Sequence, residues 1–166
     1  PIVFSTGMST IDEVKSTMLN ILEENCKDIT ILHCNSAYPT PIKDVNLSAI
    51  NPLRKMIENL QTPLDVSIKI GYSDPTASPS VLYRVAHQHD ISQIEFHIDL
   101  DGDGYESESG HCWVPEKIKE VIDNINNGFL SDGSGIFGPS ESELPDRNWR
   151  ADPKDGLRPM KELRRE

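Results

Sequence analysis

The sequence predicts an α/β fold built from parallel β/α units. Three observations carry that expectation. Four short apolar, β-like runs begin about 27 to 37 residues apart. Each is followed by a stretch with apolar residues in helical phase, and each closes on polar side chains capable of chemistry. Strands that alternate with helices imply a parallel sheet with right-handed crossovers. Such sheets place their sites at the carboxyl ends of the strands. Strand-to-helix loops are polar in most proteins, so the third observation marks where to look rather than what is there.

The first run, Ile2–Thr6, ends at Gly7. Ser9 or Thr10 can cap a helix whose apolar positions Ile11, Val14, Met18 and Leu22 fall on one face. The second run, Ile29–His33, passes into Cys34-Asn35-Ser36 and a Pro-containing loop, Ala37–Pro41. A helix is expected near Ile50–Leu60, with Leu53, Ile57 and Leu60 in phase. Val66–Gly71 is the third run and leads into Tyr72-Ser73-Asp74. Ser80 is placed to open a helix carrying Val81, Val85 and Ala86. The fourth run, Ile94–Ile98, ends among His97, Asp99 and Asp101. Pro115 suits the first position of a last helix with Ile118, Val121, Ile122 and Ile125. From Gly128 onward Gly, Ser, Pro and charge dominate. The expected organisation is therefore a β/α region over 1–127 and an irregular tail over 128–166.

Composition narrows the function classes. With 166 residues the chain suits one domain, and it falls short of the about 250 residues of a complete eight-stranded β/α barrel. A net charge of −11 argues against nucleic-acid binding, although a local pocket can still be positive toward an anionic substrate. From Arg147 to the end the balance is +3, so the preceding residues carry −14. No apolar run approaches the ~18 residues of a membrane span. Cys26, Cys34 and Cys112 are odd in number and lack C-x-x-C spacing, as expected of reduced thiols in a cytoplasmic protein. Residue 1 is Pro and a strand begins at once, which fits either a trimmed chain or part of a longer one.

The densest chemistry lies in Glu95-Phe-His-Ile-Asp-Leu-Asp-Gly-Asp-Gly-Tyr-Glu-Ser-Glu-Ser-Gly-His111. Two His and several carboxylates supply N/O ligands for Mn²⁺, Fe²⁺, Mg²⁺ or Zn²⁺. On a strand, His97 and Asp99 project to the same face. Asp99, Asp101, Asp103 and Gly104 also match positions of an EF-hand calcium loop. Position 12, however, is Gly110, and a strand stands where that motif needs a helix. His33 and Cys34 point to opposite faces of a strand and cannot pair as base and nucleophile, so Cys34 is expected to be a buried thiol. In the tail, Trp149, Leu157 and Met160 can dock on a surface, while Arg150 and Arg158 could meet an anion.

Three strand ends carry a resemblance: Phe4-Ser-Thr-Gly-Met8, Leu32-His-Cys-Asn-Ser-Ala-Tyr-Pro-Thr-Pro41 and Gly71-Tyr-Ser-Asp74, with Glu95-Phe-His97 in order behind them. Together they resemble the N-acetylneuraminate (sialic acid) synthase family over residues 1 to about 125. The resemblance implies a TIM-type (β/α)8 barrel of which this chain is the C-terminal half, strands five to eight. It implies condensation of phosphoenolpyruvate with an N-acetyl amino-sugar aldehyde, helped by a divalent metal, usually Mn²⁺, with Mg²⁺ as an option. The product is a sialic-type nonulosonic acid, with phosphate released.

By carry-over, Ser5, Ser36 and Ser73 hold phosphoenolpyruvate, Tyr38 faces the sugar, Asp74 and Glu108 are catalytic carboxylates, and His97 is a metal ligand. Pro75 stands where the family has its other metal-binding His, so the acidic loop is expected to rebuild the site with His97, Asp99 or Asp101, and His111. Arg150 or Arg158 is expected to replace the sugar contact of the family's missing C-terminal domain. The implied partners are the two substrates, the N-terminal half of the barrel, without which the chain is expected to be inactive, and an optional second copy in a homodimer. Alternatives from the residues themselves are another barrel aldolase or lyase, and a non-enzymatic calcium- or carbohydrate-binding module.

Overall fold

A computed structural model describes residues 1–164; the last two positions of the expected tail, 165 and 166, lie outside the described residues. The chain forms two compact units, Pro1–Ser131 and the segment from Asp132 onward. In the first, β1 (Ile2–Ser5), β2 (Asp28–His33), β3 (Ser67–Asp74) and β4 (Ile94–Phe96) form one parallel sheet in the order β1-β2-β3-β4. Between the strands lie α1 (Ile11–Glu23), α2 (Ile50–Glu58) and α3 (Pro79–Gln88). A short α4 (Tyr105–Glu108) and a long α5 (Pro115–Ser131) follow β4. The α/β class and the run of parallel β/α units, a curved half-barrel, are as expected.

The period of two along each strand divides the sheet's faces by chemistry. Register pairs Phe4 with Ile31 and Ile31 with Ile70. These residues join Tyr72, Val14, Met18, Ile50, Leu53, Leu82, Val85 and Val121 in one core under the helices. The opposite face carries Ser5, Thr30, Lys69, Ser73 and Glu95, and it is open enough that Val3 is 52% exposed. A parallel sheet inside a single domain is covered on both faces. A polar second face is what the interior of a barrel's active-site end requires.

Local signals account for most boundaries. Thr10, not Ser9, caps α1: its hydroxyl accepts from the Glu13 N–H, and the Glu13 carboxylate accepts from the Thr10 N–H at 2.7 Å. The Thr10 N–H and, next, the Thr10 hydroxyl donate to the Glu13 carboxylate and hold it below its ordinary range. Helix α3 starts one residue before the expected Ser80, because Pro79 needs no N–H partner in the first turn. The largest departure is α5, which runs through Gly128 to Ser131 instead of fading into the tail. A Cβ at Gly128 would lie 2.5 Å from the His87 ring, so glycine permits close α3–α5 packing there. That contact offsets its cost of about 1 kcal/mol in a helix.

The second unit is less irregular than its composition suggests. A 3₁₀ helix spans Glu141–Trp149. The Asp152 carboxylate accepts from the backbone N–H groups of Lys154 and Lys161, each at 2.8 Å. Arg164 donates to Asp155 at 2.6 Å. The Lys161 and Lys154 amides hold the Asp152 carboxyl below its usual range, and the Arg164 hydrogen bond does the same for Asp155. Carboxyls with lowered folded pKa values stabilise above the unfolded pKa, and that contribution vanishes as pH falls through the folded value. The amide resonances of Lys154 and Lys161 should therefore hold constant from about pH 5 to 8. They should collapse toward random-coil shifts below about pH 4, and at every pH in Asp152→Asn.

Candidate functional site

The site is assembled where the strands end. Register places Ser73 beside Glu95, and the Ser73 hydroxyl donates to Glu95 Oε2 at 2.5 Å. The buried Cys34 thiol lies in the same group: burial pushes it up, and the Ser73 hydroxyl pulls the other way. A thiol held in its neutral form is a poor nucleophile, in line with the expectation of a buried Cys. The loop after β2 is tied to the end of β3 by Thr40 N–H donating to the Pro75 carbonyl at 3.1 Å. This brings Tyr38 against His97 and His111, with ring centroids 5.4 and 5.1 Å away, and the two imidazoles are 5.4 Å apart.

The acidic loop reaches back to β4 by three devices. Asp99 accepts from the N–H groups of Asp101, Gly102 and Gly104 at 2.8–3.1 Å, folding the loop on itself. These bonds, Gly102's first, hold the Asp99 carboxyl down. Trp113 then pairs alongside the end of β4: its N–H donates to the His97 carbonyl, and Asp99 N–H donates to the Trp113 carbonyl. Finally, the buried Trp113 indole N–H donates to Asp74 Oδ2 at 3.1 Å. The other Asp74 oxygen accepts from Tyr72 and from both the backbone and hydroxyl of Thr76.

The result is a cluster of four possible metal ligands. One donor atom each of His97, Glu106, His111 and Cys112 lies within 4.8 Å of all the others. Glu106 Oε2 is 3.9 Å from His97 Nδ1 and accepts from the Cys112 thiol at 3.8 Å. Donors bound to one ion at about 2.0–2.3 Å sit roughly 3.5 Å apart, so small side-chain adjustments would bring these four onto an ion. The donor set fits a divalent metal.

Of the residues expected from sequence, His97 and His111 come together, with Tyr38 against both. Asp99 and Asp101 stay out of the cluster. Period two had put Asp99 on the His97 face, but β4 ends at Phe96 and the Asp99 carboxylate is turned into its own loop. Asp74 is 1% exposed with both oxygens engaged. Glu108 is exposed on α4, and its neighbour Glu106 is the one that meets the imidazoles. Ser73 is buried beside Glu95, Ser5 is exposed at the end of β1, and Ser36 lines a cavity of about 320 Å³ with Thr6, Gly7 and Asn35. Arg150 and Arg158 share a shallow cavity of the second unit with Trp149. Sequence reasoning missed Glu106, Cys112 and the Asp74–Trp113 link. Cys112 was adjacent to a suspected ligand, which was the one available signal.

Comparison with known proteins bears on the family and the fold. The profile described as the NeuB family matches residues 1–137. An uncharacterised protein of Methanocaldococcus jannaschii is 37% identical over 148 residues, covering 87% of this chain and 40% of that protein. The N,N'-diacetyllegionaminic acid synthase of Legionella pneumophila is 30% identical over 151 residues, covering 89% and 40%. The crystal structure of an N-acetylneuraminic acid (sialic acid) synthetase from Leptospira borgpetersenii superposes with a TM-score of 0.61 at 24% identity, covering 87% of this chain and 47% of that one. The chain thus spans about 40% of the length of the curated relatives it matches. Among the described residues no helix is long and apolar enough to cross a membrane.

Proposed function

This chain belongs to the NeuB family, and from that premise we propose that it contributes to condensing phosphoenolpyruvate with an N-acetyl amino-sugar aldehyde. The products are a nonulosonic acid and phosphate. The observation that carries this reading is the group of strand-end side chains on the sheet's polar face, where Ser73 is bonded to Glu95 and His97 follows. The named activity of the Legionella relative supports the same class of product.

In this reading the hydroxyls of Ser5, Ser36 and Ser73 hold phosphoenolpyruvate, and Tyr38 forms one wall for the sugar. The methylene carbon of phosphoenolpyruvate attacks the aldehyde carbon, the enol π electrons forming the new bond and the C=O π pair moving to the aldehyde oxygen. Water then adds at the former enol carbon, and phosphate leaves with the C–O bonding pair. His97 and His111 would hold a divalent ion, which supplies Lewis-acid polarisation of the aldehyde oxygen. Glu108, exposed on α4, takes the proton that water gives up and returns it to the former aldehyde oxygen, while the hydroxyl left at the former enol carbon loses its proton to the departing phosphate as the ketone forms. Asp74 acts through Trp113 as a positioning residue.

The test is phosphate release by this chain combined with the N-terminal half of the barrel, given phosphoenolpyruvate and N-acetylmannosamine or a diacetamido relative of it. Release that depends on both substrates is expected, and His97→Ala should lower it by about 100- to 1,000-fold. Consumption of phosphoenolpyruvate without sugar-dependent phosphate release would overturn the proposal.

A further inference from the structure

The donors gathered beyond β4 include one that hard-cation chemistry does not use. Mg²⁺, Ca²⁺ and Mn²⁺ favour carboxylate, carbonyl and water oxygen, whereas imidazole with thiolate selects Zn²⁺ and its borderline neighbours. Here the Cys112 thiol, the Glu106 carboxylate and two imidazoles lie within 4.8 Å of one another.

The hydrogen bonds around His111 prepare it as a ligand. Ser109 Oγ lies 2.7 Å from the Glu106 carbonyl oxygen and 2.6 Å from His111 Nδ1. A carbonyl can only accept, so the single hydroxyl proton of Ser109 goes to Glu106. His111 Nδ1 must then carry the proton that it shares with Ser109 Oγ, and Nε2 keeps its lone pair. Fixing a tautomer through the non-ligating nitrogen is the arrangement that orients metal-binding histidines. The segment is also held from both sides, by the Asp99 loop before it and by Trp113 after it. His111 is 6% exposed.

We propose that His97, Glu106, His111 and Cys112 form a metal centre for a borderline divalent ion of the Zn²⁺ or Co²⁺ kind, with Cys112 bound as thiolate. The thiol proton leaves to solvent on binding. The site deepens the metal-dependent reading above and rests on it for the ion's use in catalysis; ion binding itself needs neither substrate.

The test is Co²⁺ titration of the intact, metal-stripped protein. One ion per chain should bind, with an intense thiolate-to-cobalt charge-transfer band in the near ultraviolet and little displacement by equimolar Mn²⁺. Cys112→Ser should abolish the band and weaken binding by roughly 10- to 100-fold, whereas Cys26→Ser should change neither. Ser109→Ala should weaken binding by about 10-fold with the band retained. Circular dichroism of each variant separates a lost ligand from a lost fold. Cobalt bound without the band, or a folded Cys112→Ser protein with unchanged band or affinity, would overturn the proposal. A band in this chain, with no phosphate release once the N-terminal half of the barrel is supplied, would leave the metal centre standing and remove the condensation reading; phosphate release by an assembly lacking the band would do the reverse.

Discussion

Asp74→Asn is expected to lower the melting temperature by roughly 10 °C and to cost most of the metal affinity, although Asp74 is not one of the four donors. Its carboxylate is an acceptor for four donors: the Tyr72 hydroxyl, the Thr76 N–H and hydroxyl, and the Trp113 indole N–H. Burial, then the Asp74 charge, pushes the Tyr72 hydroxyl far above its usual range, so it stays a donor. An asparagine has one oxygen and one NH₂ group. Whichever way it is placed, a donor faces a donor in a site only 1% exposed. Leaving buried polar groups unsatisfied in this way costs on the order of 3 kcal/mol. Trp113 is then freed, and with it the pairing that holds residues 111–113 beside the end of β4. Tyr72→Phe removes only the longest of the four bonds, at 3.4 Å, and should cost about 1 kcal/mol with metal affinity intact. Thermal melts and cobalt titrations of both variants check this. An Asp74→Asn protein that melts and binds like the original would show that the link to Trp113 does not organise the loop.

The division between what the sequence disclosed and what it concealed follows interaction range. The four strands, the capping box at Thr10 and Glu13, and Pro115 at the head of α5 depend on neighbours within a turn or on period-two alternation. All are legible locally. The serines and His97 at the strand ends are also legible, because parallel sheets expose those positions by construction. The continuation of α5 through Gly128 is not, since it answers to the His87 ring 41 residues earlier. Nor is the metal cluster. Period two extended past Phe96 assigned Asp99 to the His97 face. In the fold, the Asp99 carboxylate is drawn onto three loop amides, and Glu106 and Cys112 are the residues that lie beside the imidazoles instead. Their position then depends on an indole reaching a carboxylate 39 residues away, which no local pattern encodes.

A second large effect separates stability from site geometry. Gly71→Ala and Ile31→Ala should destabilise the chain comparably, by about 3 kcal/mol each, for opposite reasons. Ile31 is fully buried between Phe4 and Ile70, and truncating it leaves a cavity under the helices. Gly71 is tight rather than strained. A Cβ there would lie 2.5 Å from Leu32 Cδ2, 2.7 Å from the Gln93 carbonyl oxygen and 2.9 Å from Gln93 Cγ. The Leu32 tip can rotate away. The Gln93 carbonyl cannot, because it accepts from Tyr72 N–H at 3.0 Å in the pairing that leads into β4. Relief therefore comes from moving the start of β4, and Glu95 and His97 move with it. At a temperature where both variants are folded, Ile31→Ala should keep the original cobalt affinity, while Gly71→Ala should lose roughly 10-fold or more. Equal losses in both would mean that the cluster senses global stability alone, and that the short β4 does not position His97.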